Sequence, residues 1–184
     1  HEEEILFCLK THINVKKVIK TIVTIIIPRH IGKVKKIKSV CEKLNLNYQI
    51  LSDGDIIKSN KEIIIINAYG IMANYLKVCK SVFIGKSMPK ILKEVGGQNP
   101  IEAAKLGCKV YHGPYVNNFK EIYELFNKLN IAKKILGEND LSNKLITDLR
   151  KSNNVNNNKI NIINNIGKKI LKSTYDELNK IDTK

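Results

Sequence analysis

The sequence predicts a mixed α/β protein built on a Rossmann-like, doubly wound and mostly parallel sheet. Three observations predict it. Short continuous apolar runs, such as Ile25 to Ile27 and Ile63 to Ile66, read as strands buried on both faces. Amphipathic helical segments alternate with these runs, which places helices on both sides of the sheet. Each strand-like segment ends on its carboxyl side in polar or glycine-containing residues, the edge at which open α/β sheets bind ligands.

Taken in order, Glu2 to Lys17 reads as a helix with Ile5, Leu6, Leu9 and Ile13 on one face. Val23 to Ile27 is a buried strand that stops at Pro28. Ile31 to Leu44 returns to helical spacing through Val34, Ile37, Val40, Cys41 and Leu44. Tyr48 to Leu51 is a short strand, closed by the turn signal Ser52-Asp53-Gly54-Asp55. Ile63 to Ile66 is the second continuous apolar strand. A helix over Gly70 to Cys79, a strand over Ser81 to Ile84 and a helix over Asn99 to Leu106 follow. A strand over Lys109 to His112 and a helix over Asn118 to Leu129 complete the alternation. Residues 1–150 therefore read as one domain. Residues 151–184 read as an Asn-rich loop, Asn153 to Asn158, and a last amphipathic helix, Ile160 to Ile181.

Composition narrows the function classes. At 184 residues the chain is long enough to bury a real core. Its longest apolar runs are far too short to span a bilayer. No signal peptide is visible, and a chain that opens on His1 reads as a fragment of something longer. The net charge of +15 admits nucleic acid, an anionic membrane face or a phosphorylated substrate as partner. Richness in Lys, Asn and Ile together fits a bias toward A/T-rich codons, so part of that charge reflects composition. Cys8, Cys41, Cys79 and Cys108 are singly spaced in apolar contexts and read as buried free thiols.

The most informative stretch is Val95-Gly96-Gly97-Gln98-Asn99-Pro100-Ile101-Glu102. Two glycines permit a turn at positive φ or a close backbone approach. Asn99 suits an N-cap, Pro100 the first helical position, and Glu102 lies three residues after the cap. A helix start of this kind offers N–H groups to an anion. Glu102 either completes a capping box or accepts the hydroxyls of a ribose. Arg29 stands out because the only other arginine is Arg150. Its planar fork can grip phosphate or carboxylate as Lys cannot, the alternatives being a helix cap or a pairing with a surface acid. His30 and His112 end neighbouring strands without metal-ligand spacing. No phosphate-binding G-x-x-x-x-G-K-[ST] loop, G-x-G-x-x-G, G-x-S-x-G or kinase set occurs.

These residues resemble a known family, the bacterial 3-deoxy-D-manno-octulosonic acid (Kdo) transferases, GT-B glycosyltransferases of lipopolysaccharide synthesis. The resemblance is to their C-terminal half. It runs over roughly residues 1 to 135. It starts at His1-Glu2-Glu3-Glu4, similar to T-H-x-G-E-E, and continues through Ile27-Pro28-Arg29-His30 and Asn67-Ala68-Tyr69-Gly70-Ile71-Met72. Phe83-Ile84-Gly85-Lys86-Ser87 resembles F-V-G-G-S. The GGQNPIE run, with its A-A-x-x-G, G-P and N-F-x-E-I continuation to Ile122, is the specific part. The chain departs from the family at Glu3 and Lys86, where the family has glycine, and at Asn67 and Ile71, where it has acids. The stretch Ser87 to Gly96 is also longer.

The resemblance implies that residues 1–150 are a CMP-Kdo-binding domain and that the final helix packs toward a separate N-terminal half. That half would hold the lipid A precursor and the general base, so this chain alone would not catalyse transfer and contains no catalytic residue. CMP would be contacted by Pro28, Arg29, Tyr69, Gly70, Ile71, Asn99, Pro100, Ile101 and Glu102. His30, Ser87, Gly96, Gly97, Gln98 and Asn118 are accessory positions. No metal and no cofactor are implied beyond CMP-Kdo as donor substrate. The implied place is the cytoplasmic face of the inner membrane, on an anionic lipid surface. Other readings are a GT-B-type transferase or epimerase acting on another nucleotide sugar, and a basic, non-enzymatic membrane-binding module. Nucleic acid is not implied, since no aromatic–basic interleaving or helix-turn-helix pattern is present.

Overall fold

The computed structural model describes residues 2–151 and 161–165. Helix α1 (Glu2–Lys16) leads into β1 (Thr24–Ile26), α2 (Val34–Lys43), β2 (Tyr48–Leu51) and β3 (Ile63–Ile66). After these come α3 (Met72–Leu76), β4 (Ser81–Ile84), α4 (Ile101–Lys105), β5 (Lys109–His112), α5 (Lys120–Lys128), β6 (Ala132–Lys134) and α6 (Glu138–Arg150). The strands form two three-stranded sheets, in the orders β1-β3-β2 and β4-β5-β6. Every pairing is parallel. The expected α/β class with parallel strands covered by helices is what is found.

The central strand of each sheet shows why. Ile63 and Ile65 face α1 and α2, packing with Leu9, Ile37 and Cys41. Ile64 and Ile66 point to the other face, against Leu51, Ile25 and Tyr75. Alternate side chains thus enter two different cores, so both sets must be apolar. β5 repeats the device, with Val110 among Ala104, Tyr123 and Phe126 and Tyr111 among Ile135, Leu141 and Phe83.

Several elements differ from expectation. The sequence pattern missed β6 and α6. In β6 only Ala132 is fully buried, while the buried Ile131 and Ile135 flank it outside the strand. Lys133 and Lys134 disguise the strand as polar. Helix α6 opens on Glu138-Asn139-Asp140, and its Leu141 and Leu145 complete the Tyr111 cluster. On α1, Leu6 is exposed, whereas Phe7 turns toward the second sheet and lies 5.2 Å from Phe83 ring to ring. Helices α3 and α4 are each five residues long, shorter than the pattern suggested. The Asn-rich loop and most of the last predicted helix lie outside the described residues. Residues 161–165 are helical, and Ile163 packs with Leu76, Val110 and Phe126.

Glu4 joins the first helix to the second sheet. Its carboxylate is buried and accepts three successive backbone N–H bonds, from Lys86 at 2.8 Å, Ser87 at 2.8 Å and Met88 at 3.1 Å. Three consecutive N–H groups can aim at one anion only if the chain curls into a concavity, with one residue in the left-handed region. Lys86 is that residue, at φ 59°. This is the position at which the resemblance has glycine. The conformation is therefore kept here despite a side chain that disfavours it.

At the amino ends of β1 and β3 sits a second buried polar cluster. His12 Nε2 lies 3.2 Å from Glu62 Oε2 and its Nδ1 lies 2.8 Å from the Thr24 hydroxyl. A neutral ring satisfies both, donating to Glu62 and accepting from Thr24. Burial lowers the His12 pKa, outweighing the opposing pull of Glu62. Burial raises that of Glu62, but hydrogen bonds from Lys16, the Asn47 N–H and His12 bring it below the usual carboxylate range. His112 is likewise lowered by burial, against hydrogen bonds to Gly113 O and Asn127.

Three outcomes follow from these networks. Glu4→Ala strands three N–H groups at a partly buried turn and should lower the unfolding free energy by about 3 kcal/mol in urea titration. Lys86→Gly relieves the left-handed strain and should raise it by about 1 kcal/mol. For pH, both His12 and His112 bind a proton less readily folded than unfolded. Their contribution is complete above the unfolded-state pKa of 6.5 and is lost as pH falls below it. Glu62 adds a further loss below its ordinary value of 4.5. The urea midpoint should therefore fall between pH 7.5 and 5.5; a midpoint that stays level or rises would contradict this assignment.

Candidate functional site

The carboxyl ends of β1 and β3 lie side by side because the two strands pair in register, Ile26 opposite Ile65. Pro28 is half-buried, and Arg29 and His30 are exposed beyond it. Among the described residues the Arg29 guanidinium has no hydrogen bond or ion pair. His30 precedes a one-turn 3-10 helix over Ile31–Lys33. The β3 loop holds Tyr69 and Gly70 in the open, Gly70 at φ +79° with free space around it. Ile71 is half-buried immediately before α3. The two loops are tied by the Ile31 N–H, which donates to the Tyr69 hydroxyl at 3.4 Å. Arg29 and Tyr69-Gly70-Ile71 are therefore neighbours at one edge.

The start of α4 supplies the other wall. Asn99 Oδ1 accepts the Ile101 N–H at 2.9 Å, the cap that the sequence predicts. The reciprocal half of a capping box is not made: the Glu102 carboxylate has no hydrogen-bond partner among the described residues. It is exposed and lines an open depression of about 340 Å³ with Ala73, Asn99, Ile101, Lys105 and Leu106. Pro100 is buried behind it. Ala73, Lys105 and Leu106 are lining residues that the sequence pattern did not single out. Nothing in their spacing marks them, because α3 and α4 meet only through the fold.

The glycines of the run serve the backbone. A side chain on Gly96 would place its Cβ 2.4 Å from the Tyr115 carbonyl oxygen. Gly97, at φ +91°, passes so close to Val116 that a Cβ would lie 2.8 Å from its Cα. The same crossing is stitched by the Asn118 N–H to Gly96 O at 3.0 Å and by Asn118 Nδ2 to Val95 O at 3.0 Å. The Tyr123 hydroxyl donates to Gln98 O at 2.8 Å. The fully buried Ser87 donates its hydroxyl to Ile84 O and accepts the Gly113 N–H at 2.9 Å. Of the accessory positions, Ser87, Gly96, Gly97, Gln98 and Asn118 thus hold two loops together, and His30 remains exposed at the edge.

The edge offers one unpaired guanidinium, one unpaired carboxylate, a capped helix start and a shallow, mixed polar and apolar surface. Such a set suits a ligand with an anionic group and vicinal hydroxyls. The described cysteines are free thiols, Cys41 and Cys108 buried and Cys8 and Cys79 half-buried. Among the described residues no three His, Cys, Asp or Glu side chains cluster as a metal site would require. No helix there is long and apolar enough to cross a membrane.

No family model matches the chain. It is 30% identical over 153 residues to a 3-deoxy-D-manno-octulosonic acid transferase of Rickettsia prowazekii, covering 80% of this chain and 32% of that protein. To the enzyme of the same name from Aquifex aeolicus it is 24% identical over 147 residues, covering 79% of this chain and 38% of that protein. The chain thus spans about a third of the length of these relatives. Among solved structures it superposes on the C-terminal CMP-Kdo binding domain of WaaA from Acinetobacter baumannii with a TM-score of 0.78. That match has 19% identity and covers 89% of this chain and 84% of that one. In sequence the chain is similar to the C-terminal part of the 3-deoxy-D-manno-octulosonic acid transferases, and its fold is that of the C-terminal domain of WaaA.

Proposed function

We propose that this chain is the donor-binding half of a glycosyltransferase that moves Kdo from CMP-Kdo to a lipid A precursor. The observation that carries the reading is Glu102. Its carboxylate lies free in the depression beside Asn99, within the run that the resemblance identifies most specifically. A carboxylate so placed accepts both hydroxyls of a ribose. Pro28 and Arg29 then approach the phosphate, and backbone groups of Tyr69, Gly70 and Ile71 approach the base.

In this reading the acceptor hydroxyl attacks the anomeric carbon of Kdo as the bond to the CMP phosphate breaks. The proton passes to a base in the other half of the enzyme, so the isolated chain binds donor without transferring it. Charge on the departing phosphate is met by Arg29 and by backbone N–H groups at the start of α4, with no cofactor taking part. The whole enzyme works at the cytoplasmic face of the inner membrane. The chain's +15 charge supports that placement, since a lysine near an anionic surface contributes about 1 kcal/mol.

Calorimetry with CMP, UMP and AMP tests the proposal. CMP should bind best; a preference for UMP would move the chain to another nucleotide-sugar enzyme. Glu102→Gln should weaken CMP binding several-fold or more while leaving the melting temperature near the parental value, because no intramolecular hydrogen bond is lost. Arg29→Lys should cost about 2 kcal/mol, roughly 30-fold in Kd, if the guanidinium grips phosphate bidentately. Unchanged CMP affinity in both variants would remove these two side chains from the site.

A further inference from the structure

The loop between β4 and α4 carries an apolar surface that neither the core nor the nucleotide edge uses. Residues Lys90–Leu92 form a 3-10 turn in which Leu92 is buried and Ile91 is 80% exposed. Val95 is 52% exposed. The exposure is built in. Leu92 N–H bonds to Pro89 O at 2.9 Å, Lys93 N–H to Lys90 O at 3.0 Å and Val95 N–H to Leu92 O at 3.2 Å. The segment is anchored beyond Val95 by the Gly97 N–H to Lys86 O at 2.6 Å and by both bonds from Asn118. A rigid turn therefore holds two branched aliphatic side chains in water.

The charges in this segment are mostly positive. Lys86, Lys90 and Lys93 lie in this segment against a single acid, Glu94, which Lys93 approaches at 4.0 Å. Lys86 and Lys90 have no ion pair among the described residues. Exposed aliphatic anchors interleaved in sequence with lysines complement an anionic amphiphilic surface, where apolar side chains enter the acyl boundary and ammonium groups meet headgroups. We infer that the turn Lys90–Val95 seats on an anionic lipid bilayer, with Ile91 and Val95 inserted and Lys90 and Lys93 at the headgroups. This deepens the lipid-surface part of the function proposed above. Val95 is four residues from Asn99, so the seat would hold the nucleotide edge beside the surface.

The chain has no Trp, so Ile91→Trp provides a single fluorophore at the proposed point of insertion. With vesicles of mixed phosphatidylcholine and phosphatidylglycerol its emission should shift to the blue, and with pure phosphatidylcholine it should not. In co-sedimentation, I91N/V95N should reduce partitioning of the 184-residue chain about tenfold or more. K90Q/K93Q should weaken binding and flatten its salt dependence. CMP affinity and melting temperature should stay parental in I91N/V95N, since both side chains are solvent-facing. Parental binding by I91N/V95N, or salt-sensitive binding without a blue shift, would overturn the insertion while the lipid-surface reading survives. Failure of the parent chain to bind anionic vesicles would overturn both, leaving the CMP result to stand by itself.

Discussion

The arrangement of this domain depends on one buried carboxylate. Glu4, in the first turn of α1, closes the β4 loop by accepting three consecutive N–H groups. An anion in a backbone concavity makes charge-assisted bonds in a low-dielectric surrounding, where losing one partner costs more than the bond itself contributes. The same helix buries Leu9 under the first sheet and lays Phe7 on Phe83 of the second. Helix α1 is therefore shared between two sheets with separate strand ladders, and Glu4 fixes where the second sheet's first loop begins.

From that loop the site is built by backbone. Lys86 takes the left-handed turn, Ser87 ties the strand ends of β4 and β5, and Gly96 and Gly97 let two chain segments cross at distances that a Cβ would forbid. These contacts deliver Asn99 and Glu102 to the edge with little freedom. Among the side chains at that edge, Arg29 on one side and Glu102 on the other have no hydrogen bond or ion pair with the described residues. The buried side chains of Glu4, Ser87, His12 and His112 are hydrogen-bonded within the fold, whereas the exposed Arg29 and Glu102 are not.

His12 and His112 illustrate the same division. Both are buried and hydrogen-bonded on both ring nitrogens, and burial lowers both pKa values, so each is a neutral structural hydrogen-bonding group. His112 ends a strand, as a catalytic histidine often does, yet it is closed in by Gly113, Asn127 and the ring of Tyr123 at 4.4 Å. Position at a strand end did not decide its role; saturation of its hydrogen bonds did.

The amino-acid order was enough to read the fold class, five of the six described strands and the position of the capped run at Asn99. These follow from local physics: a strand buried on both faces must be continuously apolar, and a helix start needs an oxygen acceptor for its free N–H. It did not reveal β6, whose apolar neighbours lie outside the strand, nor the role of Glu4, whose partners are more than eighty residues away. It gave no means of separating the glycines' two uses, since backbone crossing and ligand approach demand the same missing Cβ. It left Glu102 between a cap and a ligand group. The assembled fold shows the β6 pairing, the Glu4 bonds, the close glycine crossing and the absence of a capping bond from Glu102, because each depends on which distant groups meet, and that is not a property of any local stretch of chain.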